Sequence, residues 1–235
     1  RLMKIIFPEI DTMYGMEQTP EWHHKDIFAH TMQVVDNAAN LSSKMEIRFA
    51  ALVHDIAKPN TRRVDKNRGY TFHGHDAVGE RMLNKVSRRM KLSNRLKRYI
   101  KKLTKLHLRP IALAKNIVTD SAIRRLMVES GEDIEDLMTL CRADITTKNP
   151  NRVKQYLKNF DLVEEKIKNV IKIDAKKLFQ SPVRGDEIMK VCKLKEGRKV
   201  GEIKRAIEDA ILDGRIENDY DSSLEYLNQI KKKYI

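Results

Sequence analysis

Cysteine, proline, glycine and aromatic residues are all scarce in this 235-residue chain, which has two Cys, six Pro, nine Gly and 6% Phe, Trp and Tyr together. The two cysteines, Cys141 and Cys192, lie far apart and each sits inside an apolar helical pattern. That excludes a disulfide framework and a C-x-x-C metal knuckle, and it fits a reducing cytoplasm. With few prolines and glycines, and apolar residues recurring every three or four positions instead of alternating, the pattern argues for helices throughout. No apolar run reaches about eighteen residues and no signal-peptide pattern opens the chain, so a cytoplasmic protein without a membrane partner is expected. The chain starts at Arg1, without Met, and runs directly into Leu2-Met-Lys-Ile-Ile-Phe7. This reads as the middle or end of a helix, and a piece of a longer polypeptide is expected.

What the chain does have is positive charge: 47 Lys and Arg against 33 Asp and Glu, for a formal net charge of +14. Such a surface attracts polyanions such as nucleic acid or phosphorylated ligands, although a Lys-rich solvated surface is the plainer alternative and charge alone does not choose.

Periodicity places helices at Ile27–Leu41, Met45–Lys58, His73–Met90, Ser93–Leu108, Asp120–Glu129, Ile134–Thr146 and from Asn151 towards Phe179. Residues 1–25 read as an irregular lead-in. Pro59 stops the second helix, and the polar, basic stretch Asn60–Tyr70 reads as a loop. After Ser181-Pro-Val-Arg-Gly185 a compact unit follows, with helices near Glu187–Cys192, Val200–Asp213 and Ser222–Lys232, and Gly214 placed just beyond a helix end.

The segment Arg48-Phe-Ala-Ala-Leu-Val-His-Asp-Ile-Ala-Lys58 is among the most apolar in the chain, yet His54, Asp55 and Lys58 interrupt it. Burying His54 and Asp55 together is costly unless they are paired, hydrogen-bonded or bound to a cation. His30, His75, His107 and Asp144 each occupy the apolar stripe of their own helix, where a core residue belongs. A single core histidine is most simply a satisfied imidazole. Five helices each aiming a ligand-type side chain inward are more simply explained by one shared metal centre.

The ordered set His30, His54-Asp55, Asp144 resembles the ligand signature of the HD superfamily of metal-dependent phosphohydrolases, and His75 and His107 match the extra histidines of its two-metal members. The resemblance implies an all-α fold: an HD-domain helical bundle followed by a small helical C-terminal subdomain. It also implies one metal on His30, His54, Asp55 and Asp144, and a second available to Asp55, His75 and His107. At finer grain, Lys25-Asp-Ile-Phe-Ala-His-Thr31, Arg48 through Pro59, Phe72-His-Gly-His-Asp-Ala-Val-Gly79 and Arg142-Ala-Asp-Ile-Thr146 are similar to the HD region of bacterial tRNA nucleotidyltransferases, the CCA-adding enzyme and poly(A) polymerase family. Gly185-Asp-Glu-Ile-Met189, Val200-Gly-Glu-Ile-Lys204 and Leu212-Asp-Gly-Arg-Ile216 resemble the C-terminal body of the same enzymes. Three regions follow from this: 1–25 as the end of a preceding RNA-binding region, 26–148 as the HD domain, and 149–235 as a long helix with a basic RNA-binding subdomain.

The sequence departs from other HD branches. Lys58 and Pro59 stand where the stringent-response hydrolases carry acidic residues, there is no Gly-Tyr-Pro segment, and Ala57 replaces the commoner Gly. Nothing resembles a nucleotidyltransferase head, so this chain alone is not expected to add CCA.

Imidazole and carboxylate ligands without thiolate point to an open hydrolytic site, and one or two divalent ions drawn from Mn, Fe, Ni, Co, Mg or Zn are compatible with it. Asp55 and Lys58 are the expected catalytic pair. Asp55 would bridge or orient, and Lys58, one turn beyond His54, would neutralise a phosphate oxygen. His24 and His73 are weaker proton-carrier candidates. The resemblance implies tRNA or RNA 3′ ends and phosphate-ester nucleotides as partners. Arg62, Arg63, Lys66, Arg68, Arg198 and Lys199 are the expected phosphate-binding residues, with further basic runs at Arg88-Arg89-Lys91 and Arg95 to Lys102. The competing expectation is a noncatalytic tRNA-binding body with a structural or vestigial metal site.

Overall fold

Capping and burial set the helix ends. A computed structural model of the chain describes residues 2–16, 26–66, 69–115, 119–174 and 181–234. Among these the chain is helical apart from one short hairpin, an all-α fold. The cluster of contacts divides it into one unit of residues 1–117 with 130–164 and another of 118–129 with 165–235.

The first unit opens with two short helices, α1 (Leu2–Ile6) and α2 (Pro8–Asp11), where an irregular lead-in was expected. Pro8 occupies the first turn of α2, where its missing N–H costs no hydrogen bond. Residues 17–25, including His24 and Lys25, lie outside the described residues. Helix α3 (Ile27–Leu41) starts at Asp26, whose carboxylate accepts from the Ala29 N–H at 2.6 Å and also from the Gly15 N–H at 2.6 Å. A cap of this kind contributes about 1 kcal/mol.

Helix α4 (Met45–Val53) stops short of the expected Lys58. From His54 the backbone tightens into turns, with Ile56 N–H donating to the Val53 carbonyl at 3.1 Å and Lys58 N–H to the Asp55 carbonyl at 2.9 Å. Helix α5 (Lys58–Thr61) then leads into a hairpin of β1 (Arg63–Asp65) and β2 (Gly69–Thr71), antiparallel with Val64 opposite Tyr70. A loop was expected over Asn60–Tyr70. The β-branched and aromatic residues Val64, Tyr70 and Thr71 favour pairing, and Gly69 takes φ +72° to permit the return.

Helices α6 (His75–Arg89), α7 (Asn94–Leu106) and α8 (Leu108–Lys115) follow; Ser93 caps α7 by accepting from Leu96 N–H at 3.2 Å. In this unit α10 (Ile134–Ala143) and the first part of α11 (Pro150–Asp174) complete the bundle. α3 packs on α4 and α10, and α7 on α4 and α6. Their shared core holds Val34, Ile47, Leu83, Ile100, Leu103 and Leu137, all buried. Each such side chain stabilises the fold by roughly 1.5–3 kcal/mol on burial.

The second unit comprises α9 (Asp120–Ser130), the later turns of α11, α12 (Gly185–Cys192), α13 (Arg198–Leu212) and α14 (Tyr220–Ile230). Whereas residues 149–235 were expected to group together, the turns of α11 up to Glu164 belong with the first unit. Val183, Ile188, Ile203, Ile207 and Leu227 form the second unit's own core. α13 ends at Leu212, and Gly214 stands just beyond that end as expected, in φ +69°, with Arg215 N–H reaching back to the Ala210 carbonyl and Gly214 N–H to that of Ile211.

Candidate metal centre

Five of the six ligand-type residues stand at or just beyond helix ends, where the backbone holds a side chain without covering it. His54 follows α4, His107 joins α7 to α8, and Asp144 follows α10; His75 is the first residue of α6, and the turn residue Asp55 precedes α5. His30 alone lies in a helix interior, one turn into α3. The expected Ile134–Thr146 helix therefore stops at Ala143, where Asn37 Nδ2 donates to the Ala143 carbonyl at 2.8 Å and so fixes the approach of Asp144.

These elements bring the six side chains together. His30, His54 and Asp144 present ligand atoms within 4.8 Å of one another, and so do Asp55, His75 and His107. Asp55 joins the two groups. Its Oδ2 lies 3.4 Å from His30 Nε2 and 3.1 Å from His54 Nε2, while its Oδ1 lies 3.2 Å from His75 Nε2 and 3.8 Å from His107 Nε2. Asp144 Oδ1 closes the first group at 3.0 Å from His30 Nε2 and 3.5 Å from His54 Nε2.

The histidines share one brace. The Nδ1 atoms of His54, His75 and His107 lie 2.8, 2.7 and 2.7 Å from the carbonyls of Ala51, Phe72 and Thr104, each three residues back. A carbonyl only accepts, so each Nδ1 carries a proton, and each ring in its neutral form offers its Nε2 lone pair to the site. His30 Nδ1 meets Thr146 Oγ1 at 2.9 Å. Cys141 donates its thiol to the His107 carbonyl at 3.1 Å; burial pushes that thiol well above its ordinary pKa, so it serves as a proton donor and not as a thiolate ligand.

Charge in the centre is balanced by attraction across short distances. Burial disfavours a charged His54, but the charge of Asp55 and contact with Asp144 hold it protonated, up to about 10. His30 is also raised, against burial, by Asp144 and Asp55. His107 goes the other way: burial and then the His54 charge push it down to about 4. Burial alone would raise Asp55 and Asp144. For Asp55 the charges of His54 and Lys58 win, for Asp144 its contacts with His30 and His54, and both carboxyls stay well below the usual range.

The donor set fits a divalent cation by a direct structural test. His54 Nε2 is fully buried with no partner in hydrogen-bond geometry among the described residues, although it lies 3.1 Å from Asp55 Oδ2, whose own close neighbour is the Lys58 ammonium at 2.6 Å. His75 Nε2 and His107 Nε2 face each other at 3.2 Å with both Nδ1 protons already committed. Two lone pairs at that distance require a cation or a proton between them. Imidazole and carboxylate donors in this arrangement suit Mn, Fe, Co, Ni or Zn, with Mg as the harder alternative.

Lys58 places its ammonium 2.6 Å from Asp55 Oδ2, at a spacing of three residues, and 5.7 Å from the centre of the Phe72 ring. It lies at the rim of the site, with a side chain 14% exposed, as does Asp144 at 17%. The polar centre therefore opens to solvent on the side of Lys58 and Asp144.

The expected phosphate-binding residues are placed unevenly. Arg62 lays its guanidinium on the Tyr70 ring at 3.7 Å, and Arg63 and Lys66 are exposed on the hairpin. Arg68 lies outside the described residues. Arg198 and Lys199 are exposed at the start of α13, in the second unit, and Arg198 pairs with Glu202 at 2.7 Å. Arg89, Arg95, Lys101 and Lys102 of the other basic runs are engaged by Glu9, Glu46, Glu80 and Asp133. His73 is exposed.

Periodicity alone did not reveal Asn37, Thr146 or Gly79. Asn37 carries a readable signal, seven residues after His30 on the same face of α3. Gly79 is a tight contact: a Cβ there would stand 3.0 Å from Thr104 Cγ2 and 3.4 Å from Ile56 Cγ2, so its absence lets α6 close on α7 and on the His54-Asp55 turn. The carbonyl braces carry no side-chain signal at all.

No helix among the described residues is long and apolar enough to cross a membrane. Compared with known families, residues 27–149, just over half the chain, match the family model of the HD domain. With a His/Asp constellation able to hold divalent metal inside that span, the chain belongs to the HD-domain family of metal-dependent phosphohydrolases.

Proposed function

We propose that the chain hydrolyses phosphate esters at nucleotide and RNA 3′ ends, in particular 2′,3′-cyclic phosphates and 2′-nucleotides, as the HD region of a tRNA nucleotidyltransferase-like protein. One observation carries the hydrolytic reading: the single carboxylate of Asp55 turns one oxygen to each of two histidine clusters. His30, His54, Asp55 and Asp144 would hold one cation, and Asp55, His75 and His107 the other. A cation bound there supplies acidification of water and stabilisation of charge developing on phosphate oxygens.

The protein's own groups do the remaining work. The Nδ1 braces fix each ring so that Nε2 faces inward, which removes the cost of orienting it later. Lys58, at the open rim, brings positive charge to the position where a phosphate would approach Asp55. Hydrolysis of a cyclic ester adds one water: a phosphorus–oxygen ester bond breaks, the water oxygen bonds to phosphorus, and the released ribose oxygen takes a proton.

The RNA context rests on the motif resemblance around His30, His54-Asp55, His75 and Asp144, and on the net charge of +14. The open rim favours a working site over a structural one, since structural metals are closed in by protein ligands. The test is hydrolysis of 2′,3′-cyclic AMP and of p-nitrophenyl phosphate with each of several divalent metals, by the parent and by Asp55→Ala. Metal-dependent turnover that Asp55→Ala abolishes is expected; equal background rates in both proteins would overturn the reading.

A further inference from the structure

Beside the metal centre, two cations on one helix face meet two aromatic rings on one strand face. Lys58 and Arg62 are four residues apart, beginning and just ending α5, so they share a side of that turn, with Cβ atoms roughly 5–6 Å apart. Tyr70 and Phe72 are two apart in and just after β2, and so share a face of the extended chain. The pairs are in register, with Lys58 over Phe72 and Arg62 over Tyr70.

Their partners differ. Lys58 reaches Asp55, but among the described residues no carboxylate lies within ion-pair distance of Arg62, and its Nε is buried without a hydrogen-bond partner. Several other arginines of the chain, Arg89, Arg95, Arg142, Arg198 and Arg215 among them, pair with carboxylates. Arg62 is thus held by stacking, with its planar fork of donors available to an anion. The ladder runs outward from the centre: Asp55, Lys58, Phe72, then Arg62 on Tyr70.

Building on the hydrolytic reading above, we infer that Arg62, positioned by Tyr70, forms a second phosphate subsite one link from the reacting phosphate. The preferred substrate then carries two phosphates on one nucleoside: the reacting ester on the ribose 2′,3′ side and another on the 5′ side. That second group is either the phosphodiester joining the last nucleotide to an RNA strand or a free 5′-phosphate.

Three substrates separate these cases: 2′,3′-cyclic AMP, its 5′-phosphorylated form, and the dinucleotide ApA ending in a 2′,3′-cyclic phosphate. A charge-assisted contact of this kind lowers KM for the two-phosphate substrates by roughly ten- to a hundredfold relative to the first. Preference for the dinucleotide alone assigns the subsite to an RNA strand, and preference for both assigns it to any 5′-phosphate. Arg62→Met and Tyr70→Ala should each collapse the KM ratio towards one, although Tyr70→Ala removes no charge; Tyr70→Phe should keep it. Equal KM values for one- and two-phosphate substrates, or a ratio that survives Arg62→Met, overturn the inference.

A binding measurement on the full chain without added metal keeps the two readings apart. Adenosine 3′,5′-bisphosphate should bind more tightly than adenosine 3′-monophosphate, and Arg62→Met should erase the difference. If that difference holds while no substrate is hydrolysed, the subsite stands and the hydrolytic reading falls. If hydrolysis occurs without any binding difference, the reverse is true.

Discussion

His75 Nε2 and His107 Nε2 face each other at 3.2 Å, each ring with its Nδ1 proton already given to a carbonyl three residues back. Neither atom can donate to the other while both rings are neutral, so the pair is built to receive a cation. His107→Ala should lower the bound divalent metal by one ion per chain, measured by elemental analysis after loading and desalting, and leave the His30–His54–Asp144 cluster filled. An unchanged stoichiometry would show that these two rings do not hold metal.

Asp55 serves both clusters, so its loss should be the most severe of the ligand changes. Asp55→Ala should reduce bound metal in both clusters and lower kcat/KM by at least about a thousandfold. Asp55→Asn tests shape against charge: it keeps an oxygen but cannot balance His54, and it should remain as inactive as Ala. Phosphate-ester turnover and metal content of the two variants settle the matter together.

Metal and protons compete for the same nitrogens. At pH 7 in the metal-free protein His54 is protonated, held at about 10, and a metal must displace that proton. Calorimetric titration in buffers of different ionisation enthalpy should therefore show release of at least one proton per chain, with affinity rising as pH rises. Heats that do not depend on the buffer would count against protonated ligands.

The metal-free protein should also lose stability on both sides of neutrality. His54 is raised from 6.5 to about 10, so its contribution is complete below 6.5 and is lost as pH rises through about 10. His107 is lowered from 6.5 to about 4, so the unfolded chain takes up more protons between those values and stability falls as pH drops through that window. The depressed Asp55 and Asp144 add a further loss below the ordinary carboxylate value of 3.8. Thermal melts of metal-free protein from pH 4 to 10 should give a maximum Tm between about 6 and 7.

Gly79 governs how closely α6 approaches the centre. Gly79→Ala sets a helix-propensity gain of about 1 kcal/mol against two tight contacts, and its Tm should change little. Gly79→Leu has nowhere to place its side chain between Thr104 and Ile56, and should cost roughly 1–3 kcal/mol. Because α6 begins at His75, the Leu variant should also lose affinity in the His75–His107 cluster. Full metal content in a destabilised Gly79→Leu protein would separate packing from the site.

Much of the centre was legible because its side chains violate the pattern around them. His30, His75, His107 and Asp144 stand in apolar stripes, and the periodicity of Ile27–Leu41 gave α3 its observed bounds. The ends of α4 and α10 were misplaced for a physical reason: apolar periodicity continues through Ile56 and past Ala143, while the actual stops depend on turn bonds and on Asn37 reaching across from α3. The hairpin was hidden by a run of Arg, Lys, Asp and Asn that reads as loop until Val64 and Tyr70 are placed opposite each other. Basic runs overstated the free charge, because whether Arg89 or Lys102 is neutralised depends on acids distant in sequence.

The three-residue braces on His54, His75 and His107 carry one more consequence. Each ring is aligned by its own stretch of backbone, not by its neighbours in the centre, so the receptacle is shaped by local chain geometry as the helices form. A divalent ion would then enter a site in which these three imidazoles already face inward, with no reorientation of the rings left to complete.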